Sequence, residues 1–350
     1  MHLTLVGLGN IGSHAAPLLA RMPAVTRLTL IDRDRYETAN LQAQAILPHD
    51  AGKSKALVQA RRLRGQRPDL LVDAIQADVE TLPLGRLRCD MVLAAVDSRR
   101  TRQYLNEACW SLGIPWVDSG VESAGGLIRI AGFEPGAKNA CLECSWDERH
   151  YASLEVEFPC REQAAHPRTN AAASLGGAAG ALLAIECGKL FGKGPGEPVI
   201  GREIVLDTQW HKQHVSCLSR NAQCRFDHRM PAAQPSDSAL VTTTVGEVLA
   251  VGEMTDAALS VAGTRGFVRR AVCRHCGYGL KSLKLLRGLK CGKCGKRMDV
   301  AGFDTISQLK RTDLAKTELT GPLARLGIQA GDILTLTGRD GERSLEVHDA

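Results

Sequence analysis

Aromatic side chains are scarce in this chain of 350 residues: Phe, Trp and Tyr together make up 4%. Its core must therefore be filled by aliphatic and small side chains, and 35 glycines allow close approach of helices and strands. Long apolar runs are missing as well. The longest uncharged stretch of small apolar residues, "AAASLGGAAGALLAI" at 171–185, falls short of the ~20 residues needed to cross a bilayer, so no membrane-spanning helix is expected. No charged leader or cleavage site precedes the first apolar strand, which begins at residue 3, and this reads as a cytoplasmic protein. Acids are absent from 257–298, where eleven Lys and Arg fall together, so the net charge of +6 is unevenly placed.

What is present is ordinary for a soluble chain, with 44% hydrophobic and 23% charged residues. The length allows one large domain with a substantial core and a smaller one beside it. Twelve cysteines in a chain expected inside the cell do not suggest disulfides. Three C-x-x-C pairs stand out instead: Cys141/Cys144, Cys273/Cys276 and Cys291/Cys294. A tight turn between two such thiols lets both sulfurs reach one ion, which suits tetrahedral zinc.

Apolar runs alternate with amphipathic stretches in the manner of βαβ units. "LTLVG", "RLTLID", "LLVDAIQADV" and "CDMVLAAVDS" read as strands; "SHAAPLLARM", "SKALVQARRLR" and "RTRQYLNEACWSLG" read as helices, and "IPWVDSGV" and "GGLIRIAGF" as further strands. The fold class is α/β, a doubly wound, mainly parallel Rossmann-like sheet with ligands at the carboxyl ends of its strands. The turn Gly7-Leu8-Gly9-Asn10-Ile11-Gly12 is a G-x-G-x-x-G pattern, which sets a phosphate on a helix N-terminus. Asp32 lies twenty residues past its last glycine, at the end of the second strand. An Ala/Gly-rich helix over about 169–190 is a buried core helix or a subunit interface. A polar break with two prolines, "RMPAAQPSDS" at 229–238, marks a linker. The expected domains are 1–230, a linker at 231–240, and a C-terminal module at 241–350 containing a zinc ribbon at 270–298.

Three features beyond the glycine turn narrow the nucleotide. Asn40-Leu41 and Gln44 follow Asp32; Lys55 opens a helix in "AGKSKALVQAR"; and Asp97-Ser98 end a strand ahead of Arg102 and Asn106. In this order they resemble the nucleotide site of the ThiF/MoeB/E1 superfamily, which adenylates the C-terminal glycine of ubiquitin-like proteins. The resemblance covers about 1–230. It implies that ATP, rather than NAD, occupies a site made by Gly7, Gly9, Gly12, Asp32, Asn40, Gln44, Lys55, Asp97 and Ser98. Lys55 then becomes the partner of the phosphates in the transition state, and Asp97 the ligand for Mg2+. By spacing alone Lys55 is equally an exposed helix lysine, with Lys53 as its rival, and Asp97 is equally a helix N-cap. Ala43 stands where the family carries an arginine, and no arginine-bearing helix precedes the first strand; Arg99, Arg100, Arg102 or a second chain are the candidates to supply that charge.

The same resemblance assigns Cys141 and Cys144 half of a zinc site. The other half falls in "SRNAQCRFDH", giving Cys224 and His228, with Cys217 as the alternative fourth ligand. Cys160, in "EFPCREQ", falls where thioester-forming members carry their catalytic cysteine; the bland reading is an inert loop thiol. Cys89, Cys109 and Cys187 read as core. The second pair of knuckles, "CRHCGYGLKSLKLLRGLKCGKC", has zinc-ribbon spacing, which gives Cys273, Cys276, Cys291 and Cys294 a second ion.

The tail "LTGPLARLGIQAGDILTLTGRDGERSLEV" resembles the end of the ubiquitin-fold domain that recruits the E2 in eukaryotic E1 enzymes. The whole is similar to the compact bacterial E1-like proteins of Bil-type ubiquitin-like conjugation operons used in antiphage defence. That likeness implies a ubiquitin-like protein and an E2 as partners, a homodimer, ATP, Mg2+ and two Zn2+ as cofactors, and neither membrane nor nucleic acid. Rival readings are a sulfur-carrier adenylyltransferase, a nicotinamide-dependent dehydrogenase, and a zinc-ribbon protein that binds nucleic acid.

Overall fold

Strand β1 (His2–Val6) runs through the middle of an eight-stranded sheet and pairs in parallel with a neighbour on each side. These are β2 (Arg27–Ile31) and, after helix α2 (Lys55–Gln66) and strand β3 (Leu71–Ile75), β4 (Met91–Ala94). Helix α1 (Asn10–Ala20) joins β1 to β2, and α3 (Arg99–Leu112) leads from β4 to β5 (Trp116–Glu122). The order β3-β2-β1-β4-β5 is all parallel, so the chain leaves β1 in opposite directions along the sheet and opens a crevice between the carboxyl ends of β1 and β4. The computed structural model describes residues 1–155, 172–192, 194–228, 237–251, 254, 256–296, 298, 300 and 304–349.

Burial follows from that topology. Leu3, Leu5, Leu28, Leu30, Met91 and Leu93 are fully enclosed, because helices cover the sheet. Beyond β5 the sheet turns antiparallel through β6 (Leu127–Phe133), then, after α4 (Glu148–Glu155) and α5 (Ala173–Leu190), β7 (Arg202–Asp207) and β8 (Lys212–Cys217). The four residues between β5 and β6 permit only a hairpin, and Glu122 caps it by accepting from the N–H groups of Ala124 (2.9 Å) and Gly125 (2.8 Å).

The Ala/Gly-rich helix packs on α1. A Cβ at Gly180 would stand 2.9 Å from the Ala15 nitrogen, and one at Gly176 would collide with Asn10, so these glycines set how closely the helices meet. Its residues 169–171 lie outside the described part of the chain, as do Cys160 and 229–236.

The chain divides into two compact units: residues 1–79 with 89–230, and 80–88 with 231–350. The second has a five-stranded mixed sheet in the order 309–310, 258–261, 333–338, 341–348, 237–240, with Leu259, Leu309, Leu334 and Val347 in its core. A small Cys-rich cluster forms a separate core around Cys273, Cys291, Ala271 and Met298. Among the described residues no helix is long and apolar enough to cross a membrane.

Candidate functional site

The crevice is a pocket of about 300 Å³ lined by the ends of β1, β2 and β4 and the start of α1 and α3. Gly7 has φ +89°, and a Cβ there would sit 2.4 Å from the Ala95 carbonyl oxygen; a Cβ on Gly12 would sit 1.9 Å from the Gly7 carbonyl oxygen. Only glycine permits this turn, and it brings α1 end-on to the pocket. No side chain caps α1 at Gly9, so its amino end, with its partial positive charge, faces the pocket.

Asp32 sits at the carboxyl end of β2. Its Oδ2 accepts from Leu8 N at 2.7 Å and its Oδ1 from Asp34 N at 2.8 Å. Burial pushes this carboxyl above its usual range, against the pull of Lys55 and the two N–H groups. Lys55 is the first residue of α2, where Ser54 caps the helix by accepting from Leu57 N. Only 9% exposed, it turns inward, with its Nζ 3.7 Å from Asp34 Oδ2 and 5.7 Å from the centre of the Tyr36 ring. Lys53 is exposed and does not line the pocket, so the geometry separates the two lysines. Asp97 lies exposed at the mouth, while Ser98 caps α3 by accepting from Thr101 N.

Gln44 lines the pocket, and its buried carboxamide Oε1 has no hydrogen-bond partner among the described residues. Asn40 does not reach the pocket: its Oδ1 accepts from Glu37 N at 2.8 Å and closes its own turn. Of the three arginines offered as substitutes, only Arg102 lines the pocket; Arg99 is exposed and donates to Ser153 Oγ. Arg102 is held by Asp118, a fully buried carboxylate on β5, at 2.9 Å, and Arg129 grips its other oxygen at 2.7 Å.

Sequence reasoning missed Arg33, Asp34 and Asp78, which also line the pocket; Arg33 pairs with Asp78 at 3.0 Å. The rule that selected Asp32 and Asp97, a charged residue at a strand's carboxyl end, would have found them. The pocket thus holds Arg33, Lys55 and Arg102 against Asp32, Asp34, Asp78 and Asp97. That balance suits a polyphosphate carried with a divalent cation.

Two sulfur-rich clusters accompany it. Cys141 Sγ lies 3.8 Å from both Cys144 Sγ and Cys224 Sγ, and Cys144 Sγ lies 3.3 Å from His228 Nε2. Tetrahedral zinc with Zn–S bonds of about 2.3 Å spaces its sulfurs by roughly 3.8 Å, so these donors fit the ion. Asn106 on α3 anchors the first knuckle by accepting from Leu142 N at 3.0 Å, and Trp110 and Phe226 pack edge-on against His228. Cys217, exposed at the end of β8, takes no part. In the second cluster Cys273 and Cys294, like Cys276 and Cys291, bring their sulfurs to 3.5 Å. Four thiols in paired knuckles again suit zinc. Cys109 and Cys187 are buried and Cys89 is half-buried, its thiol pushed up to about 11 by burial.

The sequence model of the ThiF family matches residues 1–226. Curated relatives include ubiquitin-like modifier-activating enzyme 5 of Dictyostelium discoideum, 32% identical over 158 residues, 41% of this chain and 41% of that protein. The enzyme of the same name from Bombyx mori is 31% identical over 156 residues, 41% of this chain and 39% of that protein. The chain therefore matches about two-fifths of the length of these relatives. Among solved structures, E. coli MccB with succinimide superposes with a TM-score of 0.53 at 24% identity, covering 64% of this chain and 66% of that one. MccB with ATP gives 0.52 at 22% identity, covering 64% and 65%. These likenesses show a shared fold.

Proposed function

Since the chain belongs to the ThiF family, we propose that its pocket binds ATP and adenylates the C-terminal carboxylate of a ubiquitin-like protein. The observation that carries this reading is the order of groups across the switch point: Asp32 on one side of the glycine turn, Lys55 beside it, and Asp97 on the other. Asp32 would accept from the ribose hydroxyls, and the start of α1 would receive the phosphates. Lys55, in a partly dry pocket, would stabilise the charge that builds when a carboxylate oxygen attacks the α-phosphorus. That bond forms as the bond to the bridging oxygen breaks, and pyrophosphate leaves. Asp97 would hold Mg2+, which supplies charge neutralisation to the phosphates when bound. Arg102, which lines the pocket, would supply the positive charge that Ala43 does not.

Several relatives carry the name of ubiquitin-like modifier-activating enzymes, which supports a ubiquitin-like substrate. Beyond adenylation, the reading includes transfer to Cys160 as a thioester, hand-over to an E2 recruited by the C-terminal unit, a homodimer, two structural zinc ions, and a cytoplasmic role in phage defence. Calorimetric titration with Mg-ATP and with NAD+ tests the first step. Saturable binding of Mg-ATP alone is the expected result, and tight NAD+ binding that Mg-ATP leaves unchanged would overturn it.

A further inference from the structure

Lys55 is buried without being tied down. Its nearest carboxylate oxygen, Asp34 Oδ2, stands at 3.7 Å, beyond hydrogen-bond reach, and the Asp34 side chain is 58% exposed. Solvent screens such a pair, so it holds a cation weakly. Asp32 attracts the ammonium from farther off. Among the described residues no group accepts a hydrogen bond from the Lys55 Nζ. A long side chain held only so would swing, and ordering it on ligand binding would cost affinity. The ammonium sits instead over the face of the Tyr36 ring, 5.7 Å from its centre.

That ring is itself fixed. Tyr36 lies between β2 and α2 and is 1% exposed. Its hydroxyl donates to the Leu8 carbonyl oxygen in the glycine turn at 3.1 Å and accepts from Gln59 Nε2 on α2 at 2.8 Å. Its backbone N–H donates to the Lys53 carbonyl oxygen at 2.9 Å, and its own carbonyl oxygen accepts from Gly52 N at 2.8 Å. Burial pushes the hydroxyl above the ordinary tyrosine value, so it stays protonated and keeps donating. Leu8 is gripped from both sides, since its N–H donates to Asp32. One side chain thus joins the glycine turn, α2 and the cation that opens α2.

We propose that Tyr36 is a positioning residue for Lys55, its ring face holding the ammonium at the pocket by a cation–π contact. A carboxylate at hydrogen-bond distance would occupy the N–H donors of the lysine and compete with a phosphate. The negative face of a ring attracts the charge and leaves every donor for the ligand. Such a contact is stronger in a site with little water than on a surface. The inference rests on the reading of Lys55 as a partner of the nucleotide phosphates, and adds the group that keeps it in place.

The test titrates Mg-ATP and adenosine by calorimetry into the full-length protein. Tyr36→Leu should weaken Mg-ATP about tenfold and leave adenosine, which has no phosphate, within about twofold. Tyr36→Phe keeps the ring and should stay within about threefold for Mg-ATP, with a lower urea midpoint from the lost hydroxyl bonds. Mono-, di- and trifluorinated phenylalanine at the same position drain the negative face of the ring at nearly constant shape. They should weaken Mg-ATP in steps, by about fivefold in all. In a Lys55→Ala background the same series should be flat. Where Lys55→Ala itself weakens Mg-ATP, a flat series with Lys55 present, or an equal loss for adenosine, overturns the proposal alone. Mg-ATP affinity that Lys55→Ala leaves unchanged overturns the ground-state phosphate role of Lys55, and the proposal with it.

Discussion

Arg287, in the loop between the two cysteine knuckles, donates from its Nη2 to Asp332 Oδ2 at 2.8 Å, and both side chains are almost wholly removed from solvent. Asp332 closes the Leu-Gly-x-x-x-Gly-Asp turn of the tail and also accepts from Gln329 N at 2.8 Å. The ribbon and the mixed sheet are thus tied by one buried ion pair. Removing Arg287 strands a charge in the interior. Arg287→Ala should destabilise this unit by about 3–5 kcal/mol in urea unfolding, whereas Arg287→Met with Asp332→Leu should recover most of it.

Lys55→Ala should lower ATP–pyrophosphate exchange by about a hundredfold or more, since it removes a cation aimed at developing charge. Asp97→Ala should do the same, while circular dichroism stays unchanged. Lys53→Ala, on the exposed neighbour, should leave exchange within about twofold of the parent, as expected for a solvated surface residue.

Zinc content should be two ions per chain by elemental analysis, with Cys224→Ser and Cys276→Ser each losing one. Cys217→Ser should keep both, because that thiol stands apart from the cluster. Chelation should unfold the ribbon first, its small core being built largely of the ligands themselves.

Asp32 gives a pH dependence whose sign follows from burial. Burial holds its folded carboxyl above the ordinary aspartate value, so the folded state keeps this proton after the unfolded chain has released it. The stability it contributes is full below the unfolded value and falls as pH rises through the raised one. The difference in urea midpoint between the parent and Asp32→Asn should therefore shift against the parent as pH climbs from about 3.8 upward. At neutral pH Asp32→Asn should still fold, yet lose Mg-ATP affinity in calorimetry.

Cys160→Ala should retain ATP–pyrophosphate exchange with a ubiquitin-like partner and lose the gel band that disappears with reducing agent. An unchanged rate of E2 charging would instead mean direct transfer from the adenylate.

The glycine turn, the strands and helices of the first unit, and the C-x-x-C knuckles were legible in the sequence because each rests on local physics. Positive φ at Gly7 demands glycine, period-2 and period-3.6 patterns name strands and helices, and two thiols three residues apart already share a turn. That Asp32, Lys55 and Asp97 line one pocket was readable for a related reason, since each lies at or near the end of an element whose direction the βαβ alternation dictates.

Other features needed the chain to be folded. Asn40 and Gln44 stand four residues apart, and only the path of their turn decides that one caps it while the other lines the pocket. The couple of Arg102 with Asp118 joins α3 to β5, and that His228 rather than Cys217 clusters with Cys141, Cys144 and Cys224 depends on where β8 delivers the chain. Register and close packing between distant segments decided these, and no local pattern encodes a distance between residues that meet only through the sheet.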